Sequence, residues 1–158
     1  RRTGGVTTTC HLSVQQSHPR VRVLACESLG RAAALPAIAD ILDATTSARI
    51  PASVAAMAIT RMVPRRADLL LNYEITDAPH TTQLVIELVG TLNLIDGRAA
   101  MEKCLSDPLP EIRVAALRTL GRLGHPASTS ALENFAPLSP EEAVALAEAR
   151  NGVLGALQ

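Results

Sequence analysis

Aromatic residues are nearly missing from this 158-residue chain: Tyr73 and Phe135 are the only two, and there is no Trp. That scarcity argues against reading single-stranded nucleic acid by base stacking, which needs exposed rings. It also leaves few of the large anchors that dominate protein interfaces. Lysine is just as scarce, with Lys103 the single example among 15 basic residues. The formal net charge is +0, so no global field draws the chain toward phosphate backbones or anionic lipid. No apolar run approaches the roughly 20 residues that span a bilayer, and the start carries no secretory pattern. Three cysteines, Cys10, Cys26 and Cys104, are odd in number and widely spaced. That argues against a disulfide framework and for a reducing compartment.

What the chain does contain is aliphatic. Hydrophobic residues make up 47% and charged residues 19%, too apolar a balance for intrinsic disorder. Most are Ala, Leu, Val and Ile, a palette for close helix–helix packing because Ala and Leu favour helices and Ala lets backbones approach. The length suits one domain with a buried core.

An internal repeat organises these residues. Leu29-Gly30, Ile59-Thr60, Val89-Gly90 and Leu120-Gly121 align near helix ends at spacings of 30, 30 and 31, a period that signals stacked supersecondary units. The clearest copy is Asp107–Gly124, a turn, a Pro-started amphipathic helix and a glycine stop. Its apolar stripe is Ile112, Ala115, Ala116, Thr119, Leu120 and Leu123, the i, i+3, i+4, i+7 spacing of a buried face. The same slots hold Thr81 to Leu92, Pro51 to Met62, and Val21 to Ala32 in the earlier copies. A shorter second helix is predicted in each unit, anchored at Ile41, Leu71, Met101 and Leu132.

Helix boundaries are marked by residues with local reasons to be there. Pro19, Pro51, Pro79, Pro110 and Pro140 fall where first helices begin, and Pro36 and Pro126 near second helices. Gly97 and Gly124 mark the turns between paired helices, where positive φ is expected. Ser139-Pro140-Glu141-Glu142 reads as a capping box that starts a fifth first helix. Counting back from Ile41 makes Val6–Gln16, around Cys10, a second helix with no first helix before it. The expected organisation is one array over 1–158, with units at about 1–17 (partial), 18–46, 47–76, 77–106, 107–137 and 138–158 (partial). It reads as a piece of a longer polypeptide.

The segments DPLPEIRVAALRTLGRLGHPASTSALENFA and HPRVRVLACESLGRAAALPAIADIL resemble the HEAT repeat, specifically the short bacterial HEAT-like form also found in phycobilin lyases. The resemblance covers essentially the whole chain. It implies an all-α αα-superhelix, a solenoid of about five helix pairs whose second helices line the concave side. The Arg that follows the apolar residue in that family appears as Arg22 and Arg113. It is replaced by Ala52 and Thr82, which implies that a polar ladder between repeats is interrupted in mid-array. The fold alone does not name a function.

Several chemistries are poorly supported by the residues. His11, His18, His80 and His125 lack metal-ligand spacing, and adjacent Cys10-His11 would point about 100° apart on a helix. Cys26 shares its slot with Ala56, Ile86 and Leu117, so packing is the expected role; Cys10 falls among the second-helix anchors. No nucleophile–base arrangement or phosphate loop is present. No catalytic, cofactor or metal residues are therefore expected, and the chain is read as non-enzymatic.

Two surfaces are candidates. The non-anchor positions of the second helices carry Asp40, Asp43, Asn72, Tyr73, Glu74, Glu102, Glu133 and Asn134, a mildly acidic groove suited to a basic or helical peptide. Arg61, Arg65 and Arg66 form a basic cluster, but Arg31, Arg61 and Arg122 share the slot at first-helix ends, where a cation complements the helix dipole. The expected function is a protein–protein interaction scaffold. The alternative is an accessory or regulatory domain of a lyase-like or nucleic-acid-binding protein. The expected partner is a protein, with nucleic acid disfavoured and self-association through the open ends a further possibility. The expected location is cytoplasmic, or tethered by a flanking membrane segment.

Overall fold

A computed structural model describes residues 18–32, 35–62 and 79–156, the side chains of residues 35 and 80 excepted. Eight α-helices and no strand are found among them: α1 (Pro19–Arg31), α2 (Ile38–Thr46), α3 (Ala52–Met62), α4 (Pro79–Thr91), α5 (Arg98–Cys104), α6 (Pro110–Leu123), α7 (Thr129–Asn134) and α8 (Pro140–Gly155). The chain is all-helical and divides between residues 69 and 70 into two compact units. The second helix anchored at Leu71, and the one expected at Val6–Gln16, lie outside the described residues.

In the first unit, α1 packs on α3. His18 caps α1 through Nδ1, which accepts from the Arg20 amide, with Pro19 as the first helical residue. The seam is tight because Gly30 sits against α3: a Cβ there would lie 2.9 Å from Ala58 Cα. Gly30 is thus a packing residue inside the helix, not its stop. The thiol of Cys26, fully buried, reaches the Val54 carbonyl at 3.9 Å one turn earlier. Between α2 and α3 the chain reverses through Ala48 at φ 52, and the Arg49 and Ile50 amides both donate to the Ala44 carbonyl.

The expected stripe of α1 is only half right. Leu29 and Ala25 are buried, but Val21 is 42% and Leu24 58% exposed, and Ala32 is exposed as well. The reason is positional: α1 packs on α3 through its Cys26–Gly30 side, and Val21, Leu24 and Ala32 lie off that side. On α3, Ala55, Ala58, Ile59 and Met62 are buried, while Pro51 is exposed and Val54 half-buried.

In the second unit, α4, α6 and α8 pack in sequence, with α5 against α6 and α7 against α8. All six stripe residues of α6 are buried, and Thr81, Leu84, Val85, Leu88 and Val89 of α4 likewise, with Leu92 half-buried. Here Thr119 Oγ1 donates to the Ile86 carbonyl at 3.1 Å beside Gly90. Gly121 lies closer still to α8, where a Cβ would stand 2.7 Å from Ala149 Cα.

The short helices are real but abrupt. Those described, α2, α5 and α7, have nine, seven and six residues, and each follows a single 3₁₀ turn. Their anchors Ile41, Met101 and Leu132 are all buried. Gly124 ends α6 in the left-handed conformation at φ 59. Gly97, expected to do the same, sits at φ −75. The left-handed residue of that turn is Asn93, at φ 51 and one repeat before Gly124. Asn visits this region more easily than other non-glycine residues because its short side chain can bond locally. Phe135 is not on a helix: it is the half-buried residue that ends α7.

Candidate functional site

The strongest electrostatic feature lies inside the second unit. Arg113 is the residue of α6 that the repeat pattern places toward the next unit. Its Nε donates to Glu142 Oε1 at 3.0 Å and its Nη2 bonds the same oxygen, while Nη1 donates to the Asp107 and Pro108 carbonyls at 2.7 and 2.9 Å. Glu142, fully buried, accepts from the Leu138 amide through Oε2 at 2.6 Å. Ser139 Oγ accepts from the Glu142 amide, so the capping box forms at the start of α8. The Leu138 amide bond holds the Glu142 carboxyl below the ordinary glutamate range, burial opposes it, and Arg113 and Ser139 add to the lowering. A carboxylate this committed stays ionised and fully bonded. It is a strut, not a proton-transfer group.

The first unit builds the same joint more weakly. Arg22 Nε donates to the Arg49 carbonyl at 2.8 Å, reaching the turn before α3. On α3 the two seam slots hold Ala52 and Thr60, both exposed, in place of the Arg and Gly found on α1 and α6.

The residues expected to form an acidic groove fare unequally. Glu102 is engaged within the chain: Arg98 pairs with it along α5, and Ser128 Oγ donates to its Oε1 at 2.9 Å. Asp40 is half-buried and Asp43 exposed on α2, in the other unit. Asn134 is exposed and donates to Ser130 Oγ at 3.4 Å. Asn72, Tyr73, Glu74, Arg65 and Arg66 lie outside the described residues. Arg61 stands in the last turn of α3, as Arg31 and Arg122 do on α1 and α6, the position where a cation offsets the helix dipole.

Glu133 is placed differently from the rest. It borders a cleft of about 270 Å³ between α7 and α8 whose apolar lining is Leu132, Val153 and Leu154. Arg150 closes one side by donating from Nη2 to the Leu132 carbonyl at 2.9 Å, which satisfies an orphan acceptor in the last turn of α7. Leu154 is 56% exposed at the mouth. Periodicity points to Leu132 as an anchor but gives no sign that α8 leaves Leu154 open beside it. A second groove of about 600 Å³ runs between α4 and α6, with Glu87, Glu111, Arg118, Arg122 and, from α8, Glu141 along it. Arg118 and Glu141 pair across it at 3.5 Å.

Neither described thiol is poised for chemistry. Burial, helped by the neighbouring Glu27, pushes the Cys26 thiol up to about 11, and burial with Asp107 raises Cys104. Such shifts keep the sulfur protonated and weakly nucleophilic. His18 and His125 serve as caps, His125 Nδ1 accepting from the Ala127 amide at 3.2 Å. Among the described residues no group of three or more His, Cys, Asp or Glu is placed to hold a metal ion, and no helix is long and apolar enough to cross a membrane. No protein-family model and no curated protein sequence matches the chain.

Proposed function

We propose that this chain is a HEAT-like array of helix pairs, a superhelical scaffold that docks a protein partner on the side of its short helices. The observation that carries the reading is the α7–α8 cleft. It offers an aliphatic lining of Leu132, Val153 and Leu154, with the Glu133 carboxylate at its edge. Clefts of this kind take an aliphatic side chain from an amphipathic helix, while an edge charge sets orientation more than affinity. The open volume suits one or two side chains, so the partner would insert a Leu or Met and set a basic residue or hydroxyl against Glu133.

The test compares the wild-type chain with Leu154→Asp and Glu133→Lys as baits for quantitative cross-linking. Both positions are exposed, so the fold should persist by circular dichroism. A specific partner retained by the wild type and lost from both variants supports the reading. A partner set unchanged by either variant overturns it. Retention on duplex DNA that falls steeply with salt would instead favour the nucleic-acid alternative.

A further inference from the structure

The seams between long helices follow a size rule that also applies to two faces left open. Three contacts set the register within the units: Gly30 against Ala58, Gly90 against Thr119, and Gly121 against Ala149. One turn earlier, at the same sequence offsets, Cys26 falls opposite Val54, Ile86 opposite Ala115, and Leu117 opposite Ala145. The Cys26 thiol's bond to the Val54 carbonyl agrees with the first of these pairs. Where the forward-facing residue is large, the one that meets it is Ala; where it is the smaller Cys, it meets Val. At this slot the three seams thus keep their combined volume similar, as close packing requires.

The same slots can be read on α8 and α1. The buried stripe of α8 is Glu142, Ala145, Leu146, Ala149 and Val153, which sets its register against α6. Its forward-facing slots are then Ala143, Ala147 and Asn151, all exposed, with Val144 at 57% beside them. On α1 the receiving slots are Val21, Leu24 and Ser28, in register with Ile112, Ala115 and Thr119 of α6. Leu24 is large and 58% exposed. It is the residue that the rule would set opposite a forward-facing Ala, and Ala147 supplies one. Ser28 would meet Asn151, a polar pair in place of the glycine notch, so the contact is looser than the seams inside a unit.

From this complementarity we infer that the forward face of α8 in one copy of the chain docks the open face of α1 in a second copy. The two faces differ, so the contact is heterologous, a kind that builds rows or rings of copies. The inference is independent of the cleft between α7 and α8.

Sedimentation of the 158-residue chain over a rising concentration series tests it. The average mass should climb continuously beyond that of a dimer. Leu24→Glu blocks the receiving face and Ala147→Glu the forward face, each at an exposed position, and each variant alone should stay monomeric. Mixed in equal amounts they should form a heterodimer and nothing larger, because one intact α8 face and one intact α1 face remain. If either variant loses its helical melt, Val21→Glu and Val144→Glu replace them. A wild-type chain that stays monomeric throughout overturns the inference and leaves these faces to another segment or partner. Self-association of either variant alone, or a mixture that stays monomeric, overturns it as well.

Discussion

Arg113 and Glu142 lie 29 residues apart in sequence and share one buried carboxylate oxygen between two guanidinium nitrogens. The Glu142 side chain is fully buried and that of Arg113 is 11% exposed. Every other polar atom of the pair seen to bond is answered by backbone: Asp107 and Pro108 carbonyls on one side, the Leu138 amide on the other. The joint therefore ties the turn before α6, α6 itself and the start of α8 into one network.

Removing one partner should be far worse than removing a surface pair. Arg113→Ala and Glu142→Ala are each expected to destabilise the chain by about 3–5 kcal/mol, because each strands a buried charge. The double variant should cost less than the sum by about 0.5–3 kcal/mol. Urea unfolding of the four proteins measures this; strictly additive losses would show that the two side chains do not act together.

The same carboxylate sets an acid limit. The folded pKa of Glu142 lies below its ordinary value of 4.5, so its stabilisation is complete above that pH and is lost as pH falls through the depressed folded value. Stability measured downward from about pH 5 should fall more steeply in the wild type than in Glu142→Gln. Parallel acid limbs would remove Glu142 from the account.

Glycines at the seams should rank by what a Cβ would meet. Gly121→Ala and Gly30→Ala drive a methyl into helix backbone at 2.7 and 2.9 Å, and overpacking of this kind costs about 1–3 kcal/mol. Gly90→Ala meets only the side chains of Thr119 and Arg122, and Gly155→Ala nothing within 4 Å. Those two should lie near neutral, the helix preference for Ala of about 0.5–1 kcal/mol offsetting what crowding remains. Thermal melts of the four variants check the order.

The left-handed turn residues give a second ranking. Gly124→Ala should destabilise by about 1–2 kcal/mol, since an L side chain at positive φ crowds its own carbonyl, and Ala156 Cβ already lies 3.1 Å from the new methyl. Asn93→Gly should be neutral or slightly stabilising, and Asn93→Ala should lose about 1 kcal/mol. Equal melting temperatures for Asn93→Ala and Asn93→Gly would show that backbone conformation does not govern that turn.

Much of this was legible because it rests on local chemistry. Period and proline placement gave the long helices, since Pro fits a first turn and apolar residues at 3.6 spacing form one face. The capping Ser139 was visible for the same reason, whereas the crossing Arg113 was expected only from the resemblance to the HEAT repeat. Exposure at Val21 and Leu24 was not, because burial depends on what packs against a face and periodicity only says that a face exists. Glu102, expected in an open groove, proved to be held by Arg98, an i,i+4 neighbour on α5, and by Ser128, a partner that no spacing rule marks.

The sequence by itself determined where the long helices start and which residues share one face, because capping, propensity and periodicity act over a few neighbouring residues. Tertiary structure alone decided the rest. It showed Gly30 and Gly121, which the repeat alignment places only near helix ends, to be close-packing notches, since only the approach of a second backbone reveals that role. It gave the left-handed turn to Asn93 rather than Gly97, because that conformation belongs to the residue where the helix must reverse. It also left Leu154 open beside Leu132, a cleft that exists only because α7 packs back against the far end of α8.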